Sequence, residues 1–349
     1  MKSCLETLVN YGISEAHPSK MKLQICVTIF TVVHLVSCSP VVDGEWLSFK
    51  QQYNKRYNET EDRQRKLIWE ENKRFIDRHN TETANGLHSY TMGINSYSDM
   101  KHSEFVKTMN GLKISKQISG GKVFVPSVTV DSLPAFVNWT AKGYVTEVGN
   151  QGQCGSCWAF TILGAVEGQW FKKTGKLVRL SVQDLMDCST NVGNEGCEGG
   201  FMDKSYQYIK DNKGVDTWDS YPYEAKDGKC RFKRQNVGAT DTGFVDIKKG
   251  NETDMQIAVA TIGPVAVAMD ASHAGFEYYQ SGVYDEPDCS STNIDHTLLI
   301  VGYGTYNGKD YWLAKNSWGT SWGMNGYVMM SRNKKNQCGI ATLASYPTV

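Results

Sequence analysis

The distribution of the cysteines is the feature of this sequence that most restricts its fold. Of 10 cysteines in 349 residues, three precede residue 40 and seven lie between Cys154 and Cys338. In an oxidising compartment six of the seven can form disulfides, which leaves one thiol that is either reactive or buried and inert. The sequence therefore predicts a disulfide-braced domain in the C-terminal part of the chain, with one unpaired cysteine.

The N-terminal segment indicates which compartment the protein enters. Met21 and Lys22 precede an apolar stretch from Cys26 to Val36, and small residues follow that stretch. This order is typical of a secretory signal peptide, and the stretch is shorter than the roughly 20 residues needed to span a bilayer. We therefore expect an upstream extension at residues 1–20 and a signal peptide at residues 21–39, with no stable membrane anchor. The alternative is a single, longer pre-region.

The charge balance argues against nucleic acid as a partner. Lysine plus arginine and aspartate plus glutamate number 37 each, and no long run of one sign occurs. Binding to a phosphate backbone requires a basic surface. We therefore expect no nucleic-acid partner.

Two helical patterns follow the predicted signal peptide. One is aromatic, with residues three or four positions apart as on one helix face, at Trp46, Phe49, Tyr53 and Tyr57. The other has the same steps and forms one stripe on a longer helix, namely Glu61, Arg65, Trp69, Asn72, Ile76 and Asn80. We expect a mainly helical domain over residues 40–130, with its helical core at about 45–105 and a polar linker from Lys107 to Lys122.

The character of the sequence changes at about residue 131, where tryptophan, glycine and cysteine become dense. Apolar spacing predicts a helix from Cys157 to Thr174, with Gly175 as its end. Short apolar runs predict strands in the C-terminal half, at 264–269, 297–303, 311–315 and 326–331. We expect an α+β fold in residues 131–349, with one helical lobe and one mainly β lobe.

Cys157 is the candidate nucleophile. It begins the predicted helix in the string Cys154-Gly-Ser-Cys-Trp158, and the partial positive charge at a helix N-terminus favours a thiolate. The alternatives are a thioredoxin-like redox pair, half of a zinc site and a plain structural pair. A redox pair would lie in a βαβ pattern, and zinc would need a second close pair of cysteines; the sequence has neither.

The residues that would assist Cys157 follow from a narrow choice. Only His273 and His296 lie beyond the linker; His273 is in a polar turn, whereas His296 begins an apolar run that predicts a buried strand. We therefore predict His296 as the base, with Asn316 orienting its ring. Gln151 can supply an oxyanion donor. Each of these residues alone would be assigned a structural role, and the reactive thiol is what argues for a catalytic one.

At this point a family resemblance is clear. The chain resembles the cathepsin L branch of the papain-like cysteine proteases, and the string from Cys154 to Trp158 is a signature of that family. The long helical stripe resembles the family's interrupted pro-helix motif, with Trp69 where phenylalanine is usual. A second set of residues resembles the family's other pro-region motif, with tyrosine where phenylalanine is usual; the set is Gly93, Asn95, Tyr97 and Asp99. The resemblance implies a papain-like two-lobe fold with the active-site cleft between the lobes, and a self-inhibiting pro-region that runs backwards through it.

The resemblance also implies a disulfide pattern that spacing alone leaves open among 15 pairings. Cys157 stays free, and the implied pairs are Cys154–Cys197, Cys188–Cys230 and Cys289–Cys338. The implied substrate-binding residues are Gly199, Gly200, Phe201, Met202, Ala268, Ile294, Asp295, Thr297, Trp318 and Leu343. Their apolar pocket is expected to take a bulky apolar side chain two residues before the cut. Because Thr297 and Leu343 replace smaller residues, we expect aliphatic groups to be favoured over large aromatic ones.

The resemblance implies a cysteine endopeptidase that is made as a zymogen, with its pro-region removed at acidic pH by cleavage between about Val125 and Leu133. The chemistry needs no cofactor and no metal. Expected partners are peptide and protein substrates, the chain's own pro-region and cystatin-type inhibitors, and we expect a monomer in the lysosome or outside the cell. Glycosylation sequons begin at Asn58, Asn138 and Asn251, of which Asn251 is expected to be the most exposed. The alternative is a catalytically silent papain-like binding protein, which would normally lack the Cys, His or Asn.

Overall fold

The computed structural model describes residues 40–114 and 122–349 of the chain. The predicted upstream extension and signal peptide therefore lie outside the described residues. Residues 40–45, at the start of the first helix, belong to a separate unit from residues 46–349, and all contacts given below are within the latter. In the described ranges, no helix has both the length and the apolar character to cross a membrane.

The N-terminal domain is mainly helical, as its apolar spacing predicts. It contains helices α1 (Pro40–Gln52), α2 (Glu59–Ala84) and α3 (His102–Met109), and strand β1 (Tyr90–Met92). Helix α2 begins after Asn58, whose side chain accepts a hydrogen bond from the Glu61 amide. The predicted stripe is its packing face, because Trp69 is buried against Trp46 of α1 with ring centroids 5.8 Å apart.

The C-terminal domain combines helices with a large sheet. Its helices are α4 (Cys157–Thr174), α5 (Val182–Cys188), α6 (Met202–Asn212), α7 (Glu252–Thr261) and α8 (Ala274–Glu277). The strands that follow β1 in the chain are β2 (Lys122–Val123), β3 (Val137–Asn138), β4 (Val215–Asp216), β5 (Val237–Ala239), β6 (Gly243–Asp246), β7 (Val265–Met269), β8 (Tyr279–Tyr284), β9 (His296–Tyr306), β10 (Lys309–Lys315), β11 (Tyr327–Ser331) and β12 (Ala344–Thr348). The predicted α+β class is confirmed.

The main sheet joins both domains. Its strand order is β1-β8-β11-β10-β9-β7-β12-β6-β2, and β3 also pairs with β9. Strand β1 pairs antiparallel with β8, and β2 pairs parallel with β6. The segment that precedes the C-terminal domain therefore adds a strand at each end of the sheet, where edge strands would otherwise offer unpaired backbone groups.

Helix α4 forms the centre of the helical lobe and packs on the sheet. It is buried over most of its length and ends at Gly175, whose φ of 71° is the left-handed conformation that glycine adopts readily. Side chains of β9 alternate, so that Thr297, Leu299 and Val301 face the same side, and Leu299 lies against Gly164 of α4. The cleft lies at the start of both elements, where α4 and β9 meet.

Three disulfides brace the C-terminal domain. They join Cys154 to Cys197, Cys188 to Cys230 and Cys289 to Cys338, with Cα atoms 4.6 to 4.7 Å apart. Of the cysteines in the described part of the chain, Cys157 alone is unpaired, and it is buried.

Candidate active site

The candidate nucleophile lies at the start of the buried helix α4. Cys157 is the first residue of this helix and is fully buried. The disulfide between Cys154 and Cys197 fixes the chain that leads into the helix. Trp158 anchors the first turn, because its Nε1 donates to the Gly196 carbonyl at 3.2 Å. The sulfur is therefore held at a helix N-terminus, where the partial positive charge favours a thiolate.

His296 opens strand β9 and is oriented by Asn316. Its Nε2 lies 2.9 Å from Asn316 Oδ1, which also accepts a hydrogen bond from the Ser317 amide at 2.7 Å. Because Oδ1 can only accept, Nε2 carries the proton and Nδ1 keeps a lone pair. Nδ1 is buried and has no hydrogen-bond partner among the described residues. The Trp318 ring lies 4.6 Å from the imidazole, centroid to centroid, and shields the hydrogen bond from water.

The surroundings of the two groups suppress their charged forms. Burial raises the pKa of the Cys157 thiol, although a backbone amide of Gly111 and the hydroxyl and amide of Thr297 face the sulfur and oppose the rise. Burial also lowers the pKa of His296 to about 4, although the hydrogen bond that Nε2 donates to Asn316 Oδ1 opposes this shift. Burial therefore disfavours the charged form of each group.

Gln151 is fully buried, and its side chain is held at both ends. Its Oε1 accepts a hydrogen bond from Ser317 Oγ at 2.7 Å. Its Nε2 donates to the Cys154 carbonyl and to the Met109 carbonyl, each at 2.8 Å. Met109 ends helix α3 of the N-terminal domain, so a carbonyl of that domain occupies a donor that a substrate oxyanion would need.

The chain that follows α3 runs through the cleft. Gly200 N donates to the Gly111 carbonyl at 3.0 Å, and Lys113 N donates to the Gly200 carbonyl at 2.9 Å, which forms a parallel bridge. Leu112 N donates to the Asp295 carbonyl at 3.0 Å. A Cβ on Gly111 would lie 1.7 Å from the carbonyl oxygen of Gly155, so the closest approach to the cleft floor requires glycine.

The prediction of a linker from Lys107 to Lys122 is therefore wrong for its first part. Helix α3 continues to Met109, and residues 110–114 bind the cleft through their backbone. The polar composition of this segment indicated a solvent-exposed linker. The segment instead binds the cleft through backbone hydrogen bonds, which need no apolar side chains. Residues 115–121 lie outside the described part of the chain.

A cavity of about 500 Å³ adjoins this bridge. Three of the predicted pocket residues line it, namely Met202, Ile294 and Leu343, and the pro-region side chain Ile114 lies there too. Phe201 and Ala268 do not line the cavity; the first stacks under Lys204 and the second is fully buried.

Thr297 differs most from its predicted place in the specificity pocket. It is fully buried, and its hydroxyl faces the Cys157 sulfur and has no other partner in the described ranges. The physical reason is strand alternation, which puts Thr297 on the face of β9 that packs on α4. The structure thus replaces a pocket residue with a hydroxyl donor beside the nucleophile.

Aromatic packing anchors the N-terminal domain beside the cleft. Tyr97 and Phe105 lie edge-on to Trp318, with ring centroids 6.2 and 5.0 Å away. Asn95 Nδ2 donates to the Glu277 carbonyl at 2.7 Å. The swap of phenylalanine for tyrosine at Tyr97 keeps this packing, and its hydroxyl donates to the Trp318 carbonyl at 3.3 Å.

His102 forms a second contact that holds the N-terminal domain on the C-terminal domain, and no sequence pattern predicts it. Its Nδ1 lies 2.7 Å from Glu277 Oε2 and its Nε2 lies 2.9 Å from the Ser272 carbonyl. When Glu277 is ionised, both partners can only accept, so both ring nitrogens then donate and the ring is an imidazolium. The hydrogen bond to Glu277 raises the pKa of His102, whereas burial raises the pKa of Glu277.

The pH dependence of this anchor follows from the sign of the His102 shift. A raised pKa means that the contact stabilises the docked state fully below the ordinary histidine pKa and loses its charge as pH rises through the raised value. In a Cys157→Ser zymogen, His102→Ala is expected to lower the free energy of unfolding by about 1 to 2 kcal/mol near pH 6, and by less at pH 9. The side chain of His102 is 39% exposed, so solvent screening keeps the effect modest.

Urea unfolding at the two pH values measures this difference. Lys107→Ala, on the exposed face of the same helix, is the matched control and should have the same small effect at both. An equal loss for His102→Ala at pH 6 and pH 9 would contradict an ionised contact.

Some residues at the site were missed because no local pattern marks them. Tyr223 donates to the Gln151 carbonyl at 2.7 Å, and its hydroxyl lies 2.6 Å from Ser156 Oγ. Ser317 orients Gln151, and its position next to Asn316 was the one available signal.

The sequon asparagines differ in exposure from the order expected. Asn58 is exposed, whereas Asn138 and Asn251 are half-buried. The side chain of Asn251 caps α7 by accepting from the Asp254 amide at 3.0 Å. The expectation that Asn251 is the most exposed acceptor is therefore wrong.

Comparisons with known proteins agree with this geometry. Residues 133–348 match the papain family cysteine protease model, and residues 46–105 match the cathepsin propeptide inhibitor domain. The chain is 51% identical over 330 residues to cathepsin L of Sarcophaga peregrina, covering 92% of this chain and 97% of that protein. It is 50% identical to human cathepsin L2, covering 88% and 93%. The structure of digestive procathepsin L2 from the Tenebrio molitor larval midgut is similar with a TM-score of 0.84 and 39% identity, covering 88% of this chain and 100% of that one.

The chain belongs to the papain family of cysteine proteases. More narrowly, it is a cathepsin L-like cysteine endopeptidase made as a zymogen. The domain that fills the cleft is its pro-region, which acts as an intramolecular inhibitor.

Proposed function

We propose that Cys157 is the nucleophile of this protease and His296 its base. The observation that carries the assignment is the orientation of the imidazole ring. Asn316 Oδ1 accepts a hydrogen bond from Nε2, and Nδ1 has no partner among the described residues. The Cys157 sulfur faces Thr297, which follows His296 in β9. Asn316 acts as the positioning residue, and Trp318 keeps water from its hydrogen bond. The aligned donors on Thr297 favour the thiolate once the pro-region has left.

In the proposed reaction His296 Nδ1 takes the proton of the Cys157 thiol, and the thiolate attacks the scissile carbonyl; a bond from sulfur to carbon forms as the π electrons of the C=O bond move to the oxygen. Gln151 Nε2 and the Cys157 backbone amide donate to the resulting oxyanion. When the C–N bond breaks, His296 gives its proton to the leaving amine. Water, deprotonated by His296, then attacks the acyl-enzyme and releases the carboxylic acid together with the thiol.

Labelling of the nucleophile tests the assignment. After acid activation the enzyme should hydrolyse a fluorogenic peptide, and one equivalent of a thiol-directed epoxide should abolish the activity. Peptide mapping is expected to find the label on Cys157 alone. A label on another residue would assign the nucleophile elsewhere, and no hydrolysis by correctly processed enzyme would favour the silent binding protein instead.

The substrate is proposed to add a strand at Gly199 and Gly200, where the pro-region now bridges, and to place an apolar side chain in the cavity beside Leu343. Leucine two residues before the cut should exceed phenylalanine there. Leu343→Ala, which enlarges the cavity, is expected to raise the phenylalanine to leucine ratio of kcat/KM by about 10-fold. Leu177→Ala, at an exposed apolar position away from the cleft, is the control. An unchanged ratio in Leu343→Ala would move the specificity pocket elsewhere.

The remaining assignments are proposals about processing and location. The chain is proposed to mature by loss of residues up to about 130, leaving a monomeric peptidase of residues 131–349 that cystatin-type inhibitors can bind. Three disulfides suit an oxidising compartment, so we place it in the secretory pathway, in the lysosome or outside the cell.

A further inference from the structure

A group of potential metal ligands lies in the pro-region, away from the cleft. His79 and Glu82 lie one turn apart near the end of α2, and His88 lies in the loop that leads to β1. One ligand atom from each lies within 4.8 Å of the others. No local sequence pattern predicts a metal site here, because His79 lies in α2 and His88 lies in the loop that follows it.

His79 is prepared to act as a ligand. Its side chain is buried, and its Nε2 lies 3.1 Å from the Tyr90 carbonyl oxygen. Since that oxygen can only accept, Nε2 carries the proton and Nδ1 keeps its lone pair. Burial lowers the pKa of His79, because it disfavours the imidazolium form. Metal-binding histidines typically donate their second N–H to a carbonyl in this way.

Glu82 and His88 complete the group from the surface side. His88 Nε2 lies 3.0 Å from Glu82 Oε2, and the His79 and His88 rings are stacked with centroids 4.2 Å apart. The side chains of Glu82 and His88 are 42% and 34% exposed, so an ion can reach them. Ligand atoms around a tetrahedral zinc lie about 3.4 Å apart, so binding would require the His88 ring to rotate out of its stack on His79.

The surroundings of the group favour a cation. All three side chains line a cavity of about 530 Å³ between the pro-region and the peptidase, which the carboxylates of Asp285, Glu286 and Asp288 also line. Lys309 and Arg78 line it as well, so the cavity is mixed rather than uniformly acidic. Water or one of these carboxylates would supply the fourth ligand.

We propose that the zymogen binds one zinc ion through His79, Glu82 and His88. Two imidazoles and a carboxylate suit zinc in nitrogen and oxygen ligation. The ion would tie the end of α2 to β1, which pairs with β8 of the peptidase. It would therefore stabilise the docked pro-region, and the site would leave the enzyme together with it. The proposal is independent of the catalytic roles given above.

Zinc titration of the Cys157→Ser zymogen tests the site, because that variant removes the one unpaired cysteine thiol in the described part of the chain. Isothermal titration calorimetry at pH 7.5 is expected to give one zinc per chain. His88→Ala and Glu82→Gln should each weaken binding by at least about 10-fold. His273→Ala is the matched control and should bind as before. The only other described cluster of candidate ligands contains His273, but its Cys289 is held in a disulfide.

Two further readouts make the result decisive. Cobalt in place of zinc should give visible absorption bands of four-coordinate nitrogen and oxygen ligation, which His88→Ala loses. Zinc should raise the melting temperature of the zymogen but not that of Glu82→Gln, a near-isosteric change that answers the question even if His88→Ala folds poorly. Unchanged binding in both variants, or loss of binding in His273→Ala, would overturn the proposal.

Discussion

Replacing Cys157 by alanine is expected to lower kcat for peptide hydrolysis by at least about 10,000-fold. The variant keeps the helix, the oxyanion donors and the substrate groove, but it has no group that can form the acyl-enzyme. Cys157 is fully buried in the zymogen, and alanine, which is smaller than cysteine, fits this site without a clash. The variant should therefore still fold and bind its pro-region.

Traces of active wild-type enzyme would mask the loss of activity in the variant, so they have to be inactivated before the assay. The Cys157→Ala zymogen can be processed by added wild-type protease, which the thiol-directed epoxide then inactivates while leaving the variant untouched. Thr174→Ala, at the exposed end of the same helix, is the control and should keep full activity. Residual activity within about 10-fold of wild type would mean that another residue is the nucleophile.

Replacing Gln151 by alanine is expected to lower kcat by about 100- to 1,000-fold with little change in KM. The reason is visible in the zymogen, where Gln151 Nε2 donates to the Met109 carbonyl at 2.8 Å. A developing oxyanion at that position would gain more from the donor than a neutral carbonyl does, so the loss falls on the transition state.

A graded control separates this role from a structural one. Ser317→Ala removes the hydrogen bond to Gln151 Oε1 but leaves the donor in place, so it should cost less than Gln151→Ala. The Cys157→Ser forms of both variants report any loss of fold by thermal melting. Equal loss of kcat in the two variants, or a loss confined to KM, would argue against an oxyanion role.

The same geometry explains how the zymogen stays silent. The Met109 carbonyl of the pro-region accepts from Gln151 Nε2, the proposed oxyanion donor, and the pro-region backbone fills the groove at Gly200. The thiol and the imidazole are buried in the zymogen, and burial shifts both pKa values away from the charged pair. Removal of the pro-region is therefore expected to free the groove and the proposed donor together.

Local patterns in the sequence were sufficient for much of this picture. Helix α4 matches its predicted bounds, because apolar spacing and Gly175 act within a few turns. The buried face of α2 follows from the predicted stripe from Glu61 to Asn80, of which Trp69 and Ile76 are the buried apolar members. The start of α7 was missed although its signal, Asn251 followed by Asp254, is equally local; it was interpreted only as a sequon.

What the sequence by itself determined is the set of elements and the residue types that chemistry requires, since spacing and caps depend on near neighbours. Only the tertiary structure decided which groups meet: Thr297 beside the sulfur, His102 on Glu277, and the Met109 carbonyl on Gln151. These partners lie on different elements, and contacts of that kind depend on how strands and helices pack rather than on local spacing. The cleft, its inhibitor and the proposed zinc ligands are therefore products of packing.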